Sequence, residues 1–249
     1  MPSQQSHPWF RLREAAREAL SVVAPAECCG CGRSDRSVCP DCLGELRGQA
    51  TCRVLAGGVE SLPAWSVLEY AGVAREVLLA FKEDGRVDAT SALAAPLRAA
   101  LASALSDAPF GEVVNLAVIP SSRAASRRRG YHPTGLLLAS AGFRASRVLH
   151  SVRQTEDQAA LGFADRAWNR EGSLRAAHRA AGRTYLIVDD ILTTGATVRE
   201  AWRALEEAGG RVIAAATIAS TRRRTDAASD DRGPPEVCGD FSAARVYGG

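Results

Sequence analysis

The chain alternates short apolar runs with amphipathic ones. Phe10, Arg13, Arg17 and Leu20, with Leu12, Ala16 and Ala19 alongside, recur at helical spacing and predict a short amphipathic helix over 9–23. Residues 47–63 contain glycines and no clear period, which predicts a linker. A strand is expected over 65–70, then a helix over 73–81 stopping near Gly85. The Ala/Leu pattern over 89–105 predicts a long helix broken or kinked at Pro96. Val113 to Ile119 reads as a buried strand, 134–141 as a helix and 147–152 as a short strand. Residues 154–182 are polar and weakly patterned, a loop or hood. A strand over 184–188, a helix over 197–208 and a strand over 211–218 follow. Strands alternating with helices predict an α/β fold, a mostly parallel sheet covered on both faces. The segment from Arg222 onward, where five Arg balance five acids around Gly233-Pro234-Pro235, reads as a disordered tail.

Composition narrows the function classes. At 249 residues, 46% of them apolar, the chain can bury a real core, and no run is long enough to cross a membrane. The first residues lack the basic and apolar regions of a secretory signal, so a cytoplasmic location is expected. Thirty of the 31 basic residues are Arg, Lys82 being the exception, so arginine richness alone says little. Charge is nevertheless uneven. Residues 120–183 hold 12 Arg against four acids, a net +8 that suits a phosphorylated small molecule or a nucleic-acid backbone. The aromatics there are scattered, so stacking on single strands is not strongly signalled.

Five of the seven cysteines fall within 15 residues. Cys28-x2-Cys31 and Cys39-x2-Cys42 form two knuckles, whose four thiolates are the tetrahedral set a structural Zn²⁺ prefers. Cys29 is an alternative to Cys28 as the first ligand. Cys52 and Cys238 are expected to be free thiols.

The most informative stretch runs Thr184-Tyr-Leu-Ile-Val-Asp189-Asp190-Ile-Leu-Thr193-Thr194-Gly195-Ala196-Thr197. A strand ending in two carboxylates leads into a Thr/Gly turn and an amphipathic helix. Amides and hydroxyls from Thr193, Thr194, Gly195, Ala196 and Thr197 at a helix N-terminus suit a phosphate monoester. Asp189 and Asp190 can accept hydrogen bonds from two neighbouring hydroxyls. Together these groups read as a ribose 5-phosphate site.

This stretch resembles the 5-phosphoribosyl-1-pyrophosphate (PRPP) motif of type I phosphoribosyltransferases. The order of the knuckles, Tyr70…Lys82, Val118-Ile119-Pro120, Arg129-Gly130-Tyr131 and Arg153-x-Thr155-x2-Gln158-x2-Leu161-x4-Arg166-x2-Asn169 resembles the ComF family, which includes GntX-like proteins. His132-Pro133 departs from the Asn-Gln usual there. The resemblance implies a Rossmann-like parallel sheet flanked by helices, with a small zinc-knuckle module over 1–62, a phosphoribosyltransferase-like domain over 63–221 and a tail over 222–249. It places the pyrophosphate loop at Pro120, Ser121 and Ser122, with Arg129 and its neighbours Arg127 and Arg128 as pyrophosphate contacts. Arg153, Thr155, Gln158, Arg166 and Asn169 would cover the site. Mg²⁺ would arrive with PRPP, and Asp189 and Asp190 would carry the catalytic grip on the ribose. Lys82 is expected at the surface, in solvent, with an approach to the pyrophosphate as the alternative. Two activities fit: transfer of a phosphoribosyl group to a nitrogen nucleophile, or a non-catalytic competence factor that binds single-stranded DNA or a helicase and senses PRPP.

Overall fold

The computed structural model describes residues 27–34, 36–57, 60–106, 108, 111–121, 130–152 and 172–222. A six-stranded sheet has the order β1-β2-β8-β7-β3-β4. Its members are β1 (Thr51–Gly57), β2 (Glu60–Glu69), β3 (Val114–Val118), β4 (Ala145–Ser146), β7 (Thr184–Leu192) and β8 (Arg211–Ser220). Only the β1–β2 pair is antiparallel; the other pairs are parallel. A two-stranded antiparallel ribbon, β5 (Leu149–Ser151) with β6 (Leu174–Ala176), stands apart from it. The helices are α1 (Pro40–Glu45), α2 (Gly72–Lys82), α3 (Thr90–Ser106), α4 (Pro133–Ser140) and α5 (Ala196–Glu207).

The layers follow from alternation along the central strand. Leu186 and Val188 of β7 pack into one cluster with Val77, Leu78, Phe81, Leu93, Leu97 and Leu137, from α2, α3 and α4. Tyr185 and Ile187 pack into the opposite cluster with Val198, Trp202 and Leu205 of α5 and Leu149 and Leu174 of the ribbon. A strand buried on both faces reads as a continuous apolar run, which is how 184–188 reads. The crossover from β3 to β4 runs through α4 on the first face, and that from β7 to β8 through α5 on the second. The two crossovers lie on opposite faces and lead away from each other in the strand order, the switch point at which a crevice opens at the carboxyl ends of β3 and β7.

Four elements differ from expectation. Residues 47–63 supply β1 and the start of β2 instead of a linker. Leu55 is the one deeply buried side chain of β1, so no alternation betrays the strand. Helix α3 runs through Pro96 without the break that is one of the two expectations there. Burial of Leu93, Leu97, Ala100, Leu101 and Ala104 on both sides of it offsets the missing hydrogen bond. Strand β7 continues to Leu192, four residues beyond the expected end, because β8 keeps pairing with it as far as Leu192↔Ser220. The expected loop over 154–182 contains β6 and a 3₁₀ turn, His178–Ala180, in its described part. The helix over 9–23 and the tail beyond 222 lie outside the described residues.

Candidate functional site

Strand β7 outruns its neighbour. Pairing with β3 ends at Val118↔Val188, where the chain turns away through Ile119, Pro120 and Ser121. Asp189 and Asp190 therefore lie on a strand segment that β8 still supports and β3 has left. Alternation turns Asp190 to the face that carries α2. There the Lys82 Nζ, in the last turn of that helix, lies 2.7 Å from its Oδ2. Asp190 is 8% exposed and Lys82 34%. The chain's single lysine is thus a half-buried partner of a site carboxylate, which corrects the expectation of a solvated one. Nothing in the sequence links positions 82 and 190, since the helix end and the strand end meet only in the folded chain.

The Asp189 Oδ1 accepts the Asp190 N–H at 2.9 Å. Burial pushes the Asp189 carboxyl up to about 8, and the Asp190 charge adds to this; the Asp190 N–H and the Lys82 charge pull the other way.

The turn after β7 leaves Thr193 and Thr194 exposed. The Thr194 hydroxyl accepts the Ala196 N–H at 3.3 Å, satisfying one of the first amides of α5. Gly195 is the N-cap, with φ +79°. A Cβ there would stand 2.8 Å from Leu55 Cδ2. Glycine is needed for the left-handed backbone and for the close approach of β1, which adds an interior constraint to the role expected at the anion. Two arginines hold the turn. Arg53 of β1 donates to the Thr193 carbonyl at 2.9 Å and to the Thr221 carbonyl. Arg199 donates to the Thr194 carbonyl at 3.1 Å. Arg53 escaped the sequence reading because it sat in an apparent linker, among thirty arginines.

The segment before α4 is anchored beside Lys82. The Tyr131 hydroxyl donates to the Phe81 carbonyl at 2.8 Å, and the two rings lie 6.1 Å apart. His132 is the N-cap of α4: its Nδ1 accepts the Gly135 N–H at 3.3 Å, with Pro133 opening the helix. An asparagine would cap in the same way, so the departure from Asn-Gln keeps the capping function. Next to the β3 turn, Val118, Pro120, His132, Gly135, Ala145, Arg147 and Leu149 line a pocket of about 140 Å³. Ser121 follows Pro120 at the mouth of the crevice, half-buried. Ser122, Arg127, Arg128, Arg129, Arg153, Thr155, Gln158, Arg166 and Asn169 lie outside the described residues.

The second cluster is the cysteine set. The Sγ atoms of Cys28, Cys31, Cys39 and Cys42 all lie within 4.8 Å of one another. The Cys31–Cys39 separation is 3.7 Å. A tetrahedron with Zn–S bonds of about 2.3 Å has edges of about 3.8 Å, so four thiolates here could hold zinc. Gly30 makes the knuckle possible, since a Cβ would come 2.8 Å from Cys42 Sγ. The Cys28 Sγ accepts the N–H of Cys39 at 3.2 Å and of Gly30 at 3.4 Å. Burial alone would raise the Cys28 thiol, but these amides outweigh it and bring it down to about 6. Burial raises Cys42. Cys29 stands outside the set, half-buried against the main core, with its thiol raised by burial. Cys28 and not Cys29 is therefore the fourth member. Cys52 is disulfide-bonded, contrary to the expected free thiol; Cys238 lies outside the described residues. The set docks on α2: Cys28, Cys39 and Cys42 pack against Val73, and Arg86 donates to the Glu27 carbonyl at 2.9 Å.

Among the described residues no helix is long and apolar enough to cross a membrane. A 37-residue stretch is 54% identical to an orotate phosphoribosyltransferase of Rhizorhabdus wittichii, covering 15% of this chain and 19% of that relative. The model of the phosphoribosyl transferase domain matches residues 92–239. That match takes in β3, the crevice, the Thr/Gly turn and α5, and spans more than half of the chain, which therefore belongs to the phosphoribosyl transferase domain family.

Proposed function

We propose that the chain binds PRPP in the crevice between β3 and β7 and transfers its phosphoribosyl group to a nitrogen nucleophile. The observation that carries this reading is the junction of two acids on an overhanging strand with a helix-capping Thr/Gly turn, within the matched domain. In it the 5-phosphate sits on the turn from Thr193 to Thr197, where amides and the helix dipole favour an anion. The ribose hydroxyls donate to Asp189 and Asp190. The pyrophosphate lies toward Pro120 and Ser121, near the free end of β3. Lys82 neutralises Asp190, so the pair of acids presents less net negative charge to an anionic ligand. Transfer forms the bond from the anomeric carbon to nitrogen and breaks that to pyrophosphate, which leaves with the electron pair while the nitrogen loses its proton.

Mg²⁺ would be held mainly by the ligand's own pyrophosphate and hydroxyl oxygens, where it would screen the leaving group, with Asp189 and Asp190 acting on it through the ribose hydroxyls. The cysteine set is read as a structural Zn²⁺ site, closed by four protein ligands. The resemblance to ComF proteins, with their part in DNA uptake, is supported by the convergence of the four knuckle cysteines, by the pairing of Lys82 with Asp190 and by the bond from Tyr131 to the Phe81 carbonyl next to Lys82.

The test is calorimetric titration with PRPP or ribose 5-phosphate in Mg²⁺, with Asp189→Asn/Asp190→Asn as the variant. The lost bond to the Lys82-paired Asp190 carboxylate is worth about 1.5–3 kcal/mol, and the one to Asp189, a neutral group below about pH 8, about 0.5–1.5 kcal/mol, so binding should weaken about ten-fold or more. A wild type that binds neither ligand at millimolar concentration refutes the reading.

A further inference from the structure

We infer that Arg53 and Arg199 are positioning residues that brace the Thr193–Gly195 turn so that its amides face the crevice. This rests on the reading of that turn as the phosphate site. In a trans peptide the C=O of one residue and the N–H of the next point in opposite directions. The Thr193 carbonyl is taken by the Arg53 guanidinium, so the Thr194 N–H points away from Arg53. The Thr194 carbonyl is taken by Arg199, so the Gly195 N–H points away from that guanidinium. Two consecutive peptides are thus fixed by charge-assisted bonds on their carbonyl side.

The direction is set by the topology. In the sheet order, β1 and β3 lie on opposite sides of β7. An N–H turned away from β1 therefore faces the β3 side, where the crevice opens. Arg53 also takes the Thr221 carbonyl, and the Thr221 N–H donates to the Leu192 carbonyl at 2.9 Å. One side chain so fastens both the start of the turn and the strand end beside it. The fork of a guanidinium suits two carbonyls at once, where an ammonium offers a point charge. The arrangement also sets two permanent cations behind the turn, which adds to the pull on an anion in front of it.

The experiment is titration of the full chain with ribose 5-phosphate at pH 7.5 and at pH 5, on either side of the second phosphate ionisation near pH 6. Arg53→Gln should lose ten-fold or more in affinity at pH 7.5, Arg53→Lys, which keeps the charge but can hold only one of the two carbonyls at a time, should lose about three- to five-fold, and Arg199→Gln should fall between wild type and Arg53→Gln. The wild type should prefer the dianion of pH 7.5, and Arg53→Gln should lose most of that preference. A general loosening of β1 would weaken binding equally at both pH values, which overturns the inference. So does Arg53→Gln binding within two-fold of wild type, or Arg53→Lys losing as much as Arg53→Gln. Arg199→Gln, in the first turn of α5, leaves β1 untouched and carries the same test should Arg53→Gln fail to fold; equal affinity in that variant overturns the bracing by Arg199. A wild type that binds no ribose 5-phosphate refutes the phosphate-site reading itself, and is recognised as such because no variant is needed to see it.

Discussion

Replacing Lys82 by Met isolates the electrostatics of the crevice. Methionine keeps an unbranched apolar stem in α2 and removes only the ammonium. At the observed 2.7 Å the gross attraction between Lys82 and Asp190 is about 6 kcal/mol at an effective dielectric of about 20. Desolvation of Asp190 and the one-third exposure of Lys82 take back much of this, leaving a net loss of about 1–3 kcal/mol. For a domain of this size each kcal/mol lowers the unfolding midpoint by about 2–4 °C.

The pH dependence is the sharper readout. Asp189 is raised to about 8 in the folded chain, against an ordinary value of about 4. The folded state then holds more protons than the unfolded one between those values. The stability due to Asp189 is fully present below about pH 4 and is lost as pH rises through about 8. The Lys82 charge counters that rise, so Lys82→Met should lift Asp189 further and enlarge the penalty at alkaline pH. At pH 5 Asp189 is protonated in both proteins, so the deficit should be smaller there than at pH 8.5. The assay is thermal unfolding by circular dichroism at both pH values. A midpoint within 1 °C of wild type at both pH values refutes the ion pair as a stabilising element of the site, and a deficit equal at the two pH values refutes the coupling of Lys82 to the Asp189 carboxyl.

Asp189→Asn removes the same titration, so its stability relative to wild type should improve steadily from pH 5 to pH 8.5 in the ligand-free protein; a constant difference in midpoint would contradict the raised carboxyl. Gly195→Ala meets both the positive φ and the Leu55 methyl, and should cost about 2–4 kcal/mol by chemical denaturation, with Leu55→Ala in the same background recovering part of it. Strict additivity of the two changes would show that the close approach is not felt. Metal analysis of purified protein should find about one zinc per chain, lost in Cys39→Ser/Cys42→Ser and unaffected by Cys29→Ser; loss of zinc on Cys29→Ser would reverse the assignment of Cys28.

The central strands, the α5 helix and the Thr/Gly turn were legible because each is local. A doubly buried strand is a continuous apolar run, a capping threonine precedes its helix, and a glycine marks the left-handed cap. The knuckles were legible for the same reason, only two residues lying between the paired ligands. What escaped is what the fold assembles across distance. Strand β1 carries one buried leucine and an arginine whose partners are 140 and 168 residues away. Lys82 meets Asp190, and Tyr131 meets Phe81, only after α2 has docked on the sheet. The choice between Cys28 and Cys29 is likewise three-dimensional, since it depends on which thiol turns toward Cys39 and Cys42 and which toward the core.

Helix α2 joins the two clusters that the sequence kept separate. Val73, in its first turn, packs on Cys28, Cys39 and Cys42, while Lys82 ends its last turn at Asp190. The two positions are about 13 Å apart along the axis at 1.5 Å per residue. Val77, Leu78 and Phe81 between them are buried against the sheet, so the helix cannot tilt without opening the core. Its carboxyl end is held again where the Phe81 carbonyl accepts the Tyr131 hydroxyl. Arg86, four residues beyond Lys82, reaches back to the Glu27 carbonyl just before the first knuckle. The cysteine module is therefore fastened to the segment that supplies the crevice with its lysine at both ends of that segment. The thiol set, remote from the acids in sequence and closed to substrate, still bears on the crevice through the placement of one ammonium group.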